Sequence, residues 1–252
     1  MRDQTKAETD TARHEAQLCI SGEKLTLLAE GAVWWAARRT LIVSDLHLEK
    51  GSSYARQGQF LPPYDTRATL DRVERLMQRL APDCVISLGD SFHDASAERR
   101  LAPDDRARIR TLTGQTDWLW IEGNHDPDPP AHLGGRARSS LSRDGLIFRH
   151  EPTGQAGEIA GHLHPCARIA NRVRTLRKPC FVTDGCRLIL PAMGAFTGGL
   201  NVCDPAFDVC FPDGKTAVFA LSNAHIVAIA PRRLIGDTVR GPSGRWRIAA
   251  TS

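Results

Sequence analysis

The sequence has 252 residues, 41% of them hydrophobic and 25% charged, with a formal net charge of +4. That length holds one well-buried domain and at most a small second one, and the composition is that of a soluble globular chain. No run approaches the roughly 18 uninterrupted apolar residues of a membrane helix. The seven cysteines form no CxxC pair and are odd in number, which argues against a structural zinc site and a secreted disulfide framework and for a cytoplasmic protein with reduced thiols.

In chain order, residues 1–17 are polar, mixed in charge and without the apolar stretch of a signal peptide, and read as a flexible N-terminal tail. The main domain is expected over 18–231. β-rich apolar runs recur at Leu25–Ala29, Ala32–Ala37, Thr40–Ser44, Cys84–Leu88, Trp118–Ile121 and Gly145–Phe148. Between the third and fourth, the spacing of Leu70, Val73, Leu76, Met77 and Leu80 predicts a helix over Asp65–Leu80, with Asp65 or Thr66 as its cap and Pro82 just beyond its end. A second helix is expected from about Pro103 to Leu112, opened by its proline and adjoining acidic residues. After Ile159 the pattern turns to short strands with Asp184-Gly185 and Asp213-Gly214 turns. The run from Ala217 to Ala230, broken by Ser222, Asn223 and His225, also reads as strands. The basic, glycine-containing segment 232–252 reads as a loose C-terminal tail. Strands alternating with helices in the first half give an α/β domain of sheets flanked by helices.

Five motifs carry chemistry, each at the end of an apolar run. They are Asp45-Leu-His47, Gly89-Asp90, Gly123-Asn124-His125-Asp126, the lone His150, and Gly161-His162-Leu-His164. Residues two apart on an extended chain point to the same side, so Asp45 with His47, and His162 with His164, can converge on one ion. Strand ends of an open α/β sheet are also where such folds place ligands. Singly, Asp-x-His or Gly-Asp is commonplace; the five in this order are not. Asp45, His47, Asp90, Asn124, His150, His162 and His164 offer carboxylate, amide and imidazole ligands without thiolate. That set suits two borderline-hard divalent cations sharing a bridging carboxylate; manganese, iron, zinc or cobalt would fit, ligand type alone does not separate them, and manganese is the ion expected.

The order of these motifs resembles that of the calcineurin-like metallophosphoesterases. The block Asp45 to Lys50, Arg56-Gln-Gly58, Pro62-Pro63, Pro165 and the run Leu190 to Gly199 more closely resemble the PdeM subfamily, the ligase-associated DNA damage response endonucleases. The resemblance implies a four-layer α/β/β/α sandwich with a dinuclear metal site at the sheet edge. It implies that Asp45, His47 and His164 hold one ion, Asn124, His150 and His162 the other, and that Asp90 bridges them. It further implies a phosphodiesterase that uses a metal-bridging hydroxide, acts on DNA, and is encoded beside an ATP-dependent DNA ligase, a helicase and an exonuclease-like protein. His125 is the family's general acid, and Asp126 is expected to orient it. The competing readings are a phosphoesterase for a small nucleotide or lipid-linked phosphate ester, and a metal-holding scaffold in a repair complex. A homodimer is left open.

Other residues weigh between a site and a solvated surface. Lys50 and Arg56 could hold a phosphate oxygen, and His93 and Asp94 could line the pocket. Residues 136–178 hold nine basic and three acidic side chains, and Arg168, Arg172 and Arg174 could track a phosphate backbone or simply protect an edge strand. Trp34 and Trp35 read as core, and the glycines at 194, 198 and 199 as a tight loop rather than a phosphate loop.

Overall fold

A computed structural model describes residues 12–59, 62, 64–128, 131–170, 174–222, 224–240 and 246–248. Its strands are β1 (Ala12–Arg13), β2 (Glu15–Ile20), β3 (Glu23–Leu28), β4 (Val33–Trp35), β5 (Thr40–Val43), β6 (Cys84–Leu88), β7 (Asp117–Ile121), β8 (Arg136–Arg138) and β9 (Leu141–Arg143). They continue as β10 (Leu146–Arg149), β11 (Glu158–Ala160), β12 (Cys166–Ala170), β13 (Thr175–Thr183), β14 (Leu188–Ile189), β15 (Ala217–Ser222), β16 (His225–Ile229), β17 (Thr238–Arg240) and β18 (Trp246–Ile248). The helices are α1 (Lys50–Arg56), α2 (Asp65–Leu80), α3 (Ala97–Arg100) and α4 (Pro103–Gln115).

Two large sheets result. The first runs β2-β3-β4-β5-β6-β7-β8, antiparallel up to β5 and parallel from β5 to β8. The second runs β1-β16-β15-β13-β14-β11-β10-β9, with β12 hairpinned onto β13. In it only β14, β11 and β10 run parallel to one another. Central parallel strands are covered on both faces, and β5 and β6 are accordingly buried throughout.

One core lies between the sheets, where Ile20, Leu27, Trp35, Ile42, Ile86 and Leu119 meet Leu146, Phe148, Ile159, Phe181 and Ile226. The indole N–H of Trp35 donates to the Glu23 carboxylate at 2.8 Å, so this core tryptophan keeps its polar edge paired. A second core packs the apolar stripe of α2 (Leu70, Val73, Leu76, Met77) and Ile109 and Leu112 of α4 on the outer face of the first sheet. On the outer face of the second sheet, β12 and the turn Pro205–Phe207 supply the cover, through Ala167, Ile169 and Phe207. No α-helix follows Gln115 among the described residues.

The long helix spans Asp65–Leu80 as the periodicity predicts, while α4 runs three residues past its expected end, to Gln115. Neither expected cap serves α2. Asp65 accepts from the Gly51 N–H at 2.8 Å, and the Thr66 hydroxyl donates to Glu49 at 2.9 Å, so both tie α2 to the start of α1. The two tails also differ from expectation. From Ala12 the chain is already in strands, β1 on β16 and β2 on β3, because residues 15–20 alternate toward the core. At the other end, β17 pairs with β18, and the Ile235 N–H donates to the Arg168 carbonyl at 2.9 Å. Residues 1–11, 241–245 and 249–252 lie outside the described set. No described helix is long and apolar enough to cross a membrane.

Phe148 sits fully buried between the sheets on β10, the strand that His150 follows. Phe148→Ala is expected to cost about 3–5 kcal/mol of stability, read as a lower denaturant midpoint. A loss below about 1 kcal/mol would contradict a shared core at this point.

Candidate metal centre

The five motifs occupy the C-terminal ends of five parallel strands, three from one sheet and two from the other. Asp45 and His47 follow β5, Asp90 follows β6, and Asn124 follows β7. His150 follows β10, and His162 and His164 follow β11. The loops are laced together by main-chain bonds: His47 N–H to the Asp90 carbonyl at 2.9 Å, and Gly161 N–H to the His150 carbonyl at 3.1 Å.

The side chains gather into two groups of three. In the first, His164 Nε2 lies 3.0 Å from Asp45 Oδ1 and 3.2 Å from His47 Nε2. In the second, Asn124 Oδ1 lies 2.9 Å from His150 Nε2 and 3.0 Å from His162 Nδ1, with the two imidazoles 3.2 Å apart. Asp90 Oδ2 stands between the groups, 3.8 Å from His47 Nε2 and 3.4 Å from His150 Nε2, while its Oδ1 accepts from the His125 N–H at 2.9 Å. Ligand atoms of Asp45, His47, Asp90 and His164 all fall within 4.8 Å of one another.

This set fits cations. His150 Nδ1 sits 2.9 Å from the Leu88 carbonyl and must donate to it, so neutral His150 turns an acceptor, Nε2, toward the acceptors Asn124 Oδ1 and Asp90 Oδ2. His47 Nδ1 is 3.5 Å from His93 Nδ1, which leaves His47 Nε2 facing inward. Acceptors facing acceptors need a positive charge between them. The titration of the metal-free site carries the same sign. Burial would lower His150, but hydrogen bonding and charge from Asp90 and Asp45 outweigh it and raise the imidazole to about 9. Burial would raise Asp90, yet His150 and the His125 N–H hold it to about 2. Burial likewise opposes ionisation of Asp45, and contacts with His164 and His150 still bring it below its ordinary value. His47, desolvated and only partly compensated by Asp45, falls to about 3 and stays neutral, as a ligand must.

The backbone is unusual here. Asp45, His47, Asp90, His162 and His164 all have φ between 42° and 68°. Asp and His tolerate this left-handed region better than most residues, and clustering of such conformations marks sites where geometry is imposed by function. Close approach demands glycine at several positions here, Gly161 and Gly123 among them. A Cβ on Gly161 would overlap the Ser44 hydroxyl and the Asp45 carboxylate, and one on Gly123 would overlap the Asp90 amide.

His125 is exposed at the rim, its Nε2 3.9 Å from Asp90 Oδ2. Asp126 does not orient it. The Asp126 carboxylate turns inward and accepts from the Ser91 and Phe92 N–H groups at 2.8 and 3.1 Å, where burial raises it to about 7. His125 is held instead by its Nδ1, 2.9 Å from the His93 carbonyl, and by stacking on the His93 ring at 5.5 Å. His93, which touches both His47 and His125, is thus a supporting residue whose only sequence signal was its position three after Asp90. Asp94 is anchored by Arg100 at 2.7 Å.

The expected substrate contacts divide. Lys50 is buried at the start of α1, and burial lowers its ammonium. Arg56 is exposed and lines a surface pocket with Ser53, Gln57 and Asp94. Arg168 is used internally, donating to the Gly236 carbonyl at 2.6 Å, while its cross-strand neighbour Arg177 binds Asp237. Arg172 lies outside the described residues.

A centre of paired imidazole, amide and carboxylate groups at the joined edges of two sheets defines a metal-dependent phosphoesterase. Residues 38–180 match the model of the calcineurin-like phosphoesterase family, and the chain belongs to that family. The crystal structure of a nuclease from Pseudomonas putida, MPE, is similar at 32% identity and TM-score 0.67, covering 85% of this chain and 100% of that one. A phosphoesterase from E. coli, Yfce, is similar at 14% identity and TM-score 0.36, covering 73% of this chain and 88% of that one. No curated protein matches the chain.

Substitutions at two positions test the geometry. Gly161→Ala should displace Asp45 and cut turnover by about 10²-fold, with a measurable fall in bound metal; unchanged metal content would contradict the close approach. Asp126→Asn keeps an acceptor for the two backbone donors and should leave turnover within about tenfold. Asp126→Ala should instead lose about 1–3 kcal/mol of stability. A collapse of activity in a stably folded Asp126→Asn protein would restore the orienting role.

Proposed function

We propose that the chain is a two-metal phosphodiesterase that cleaves DNA, with manganese as the preferred ion and a place in DNA repair. The observation that carries the reading is the pair of three-ligand groups sharing the Asp90 carboxylate, with one histidine left over at the rim. Asp45, His47 and His164 would hold one ion, and Asn124, His150 and His162 the other. Two divalent ions so placed supply a nucleophile at neutral pH and offset charge on the non-bridging phosphate oxygens.

The chain's own groups account for the rest. The Nδ1 hydrogen of His125 is committed to the His93 carbonyl, so its Nε2 faces the centre and, when the ring carries a proton on both nitrogens, can pass the Nε2 proton to the departing oxygen and remain as the neutral Nδ1–H imidazole. Stacking on His93 fixes the ring plane, and the His125 N–H donates to Asp90 Oδ1, which ties the backbone of His125 to the carboxylate that would lie between the two ions. Beside Asn124 and His150 a surface pocket opens, lined by Ser139, Ser140 and Arg149, which leaves room for a polymer on that side. Similarity to a protein described as a nuclease supports nucleic acid as the substrate class.

His125→Ala is expected to lower turnover on DNA by about 10²–10⁴-fold with metal content unchanged. The loss should be much smaller on a nitrophenyl diester, whose leaving group needs no proton. An equal loss on both substrates, or loss of metal, would remove His125 from the acid role. Purified protein with added manganese should hydrolyse a chromogenic diester and DNA in preference to a monoester. Preference for the monoester would favour a small phosphate ester as substrate, and activity on none would favour a scaffold.

A further inference from the structure

Among the described residues only three large apolar side chains are exposed, and two are aromatic, Tyr64 and Phe196. Phe196 lies in the turn that follows β14, is 48% exposed, and has φ 59°. Five residues of the metal centre share that backbone region, but they are aspartates and histidines, which tolerate it. For a bulky phenylalanine it is an outlier that the surroundings must impose.

Those surroundings are specific. The Met193 N–H donates to the Ser44 carbonyl at 2.9 Å, and the Gly194 N–H to the Asp45 carbonyl at 3.0 Å. The Ala195 N–H donates to the Thr69 hydroxyl at 3.0 Å, and Arg72 holds the Met193 carbonyl at 2.8 Å. At the far end, the Leu200 N–H donates to the carbonyl of Leu163, the residue between His162 and His164, at 3.3 Å. Arg177 holds the Gly199 carbonyl at 2.6 Å. The turn is therefore strapped across the backbone of the first ligand group, from Asp45 to the His162–His164 loop. Phe196 is two residues, at most about 7 Å of chain, from the glycine bonded to Asp45.

We infer that Phe196 is a stacking platform for the nucleobase next to the scissile phosphate. The inference rests on the nucleic-acid reading above and says where a base would go. The ligand groups attract phosphate, whereas an exposed phenyl ring on a turn bonded to their backbone can accept any base, because every base has a π-face. Rigid strapping means that little ordering remains to be done on binding. The residue positions substrate and takes no part in bond making.

The test compares wild type, Phe196→Ala and Phe196→Trp, loaded with manganese, on a single-stranded thymidine oligonucleotide and on the same backbone carrying abasic residues. Phe196→Ala should raise KM for the thymidine oligonucleotide about 5- to 150-fold, the size of one lost base stack. It should leave metal content and the abasic substrate unaffected, and Phe196→Trp should restore the wild-type KM. If Phe196→Ala changes both substrates alike, or neither, the stacking role is overturned while the nuclease reading stands. If wild type cleaves no oligonucleotide but does hydrolyse a chromogenic diester, both fall together.

Discussion

The structure is organised around a cluster of carboxylate, amide and imidazole groups that turn their electron pairs toward one another. Two carboxylates, an amide oxygen and four imidazole nitrogens face one another across about 3–4 Å. Such an arrangement is costly to bury without positive charge. The protein accepts that cost by fixing four of the seven groups from behind. Leu88 holds His150, His93 backs His47, the His125 amide holds Asp90, and the His162 N–H reaches Asp45 at 3.1 and 3.3 Å. Without these supports the imidazoles would rotate out to water, and the site would have to be ordered again each time an ion bound.

The two-sheet architecture is what brings the groups together. Each sheet contributes the C-terminal ends of neighbouring parallel strands, and the apolar layer between them sets the distance at which the ends meet. Residues such as Phe148 and Ile159 therefore act on the site at one remove, by fixing where His150 and His162 emerge. The left-handed backbone at five ligands follows from this convergence. Extended strands carry their side chains alternately up and down, and a turn into the left-handed region lets a loop present successive ligands to one centre. The central strands β5 and β6, buried on both faces, contribute the stability that offsets such strain, about 1–3 kcal/mol per strained residue.

Much of this was legible in the sequence because it rests on local patterns. The period of Leu70, Val73, Leu76 and Met77 sets α2, and the apolar runs before Asp45, Asp90 and Asn124 set three of the strand ends. What could not be read depends on contacts across the chain. Asp126 adjoins His125 in sequence, which suggested partnership, but its side chain serves the loop after β6, 35 residues away. Arg168 looked like a phosphate contact because charge is visible in a sequence and its partner is not; that partner is a carbonyl 68 residues on. Asp65 and Thr66 look like caps for the same reason, since nothing local marks their pairing with α1.

The supporting residues also explain why adjacency misleads at sites of this kind. A ligand and its neighbour in sequence point in different directions, so the groups that orient the ligands come from other loops, often from main-chain atoms of any residue type. The carbonyls of Leu88 and His93 orient His150 and His125, and no pattern of side chains could announce them. Two imidazoles with one chemistry are thereby given different tasks. His150, whose Nε2 points at two acceptors, is shaped to hold a cation. His125, held by a carbonyl in the same way, has its Nε2 at the open rim. The difference between the two lies in what the free nitrogen faces, and that is decided by the meeting of the two sheets.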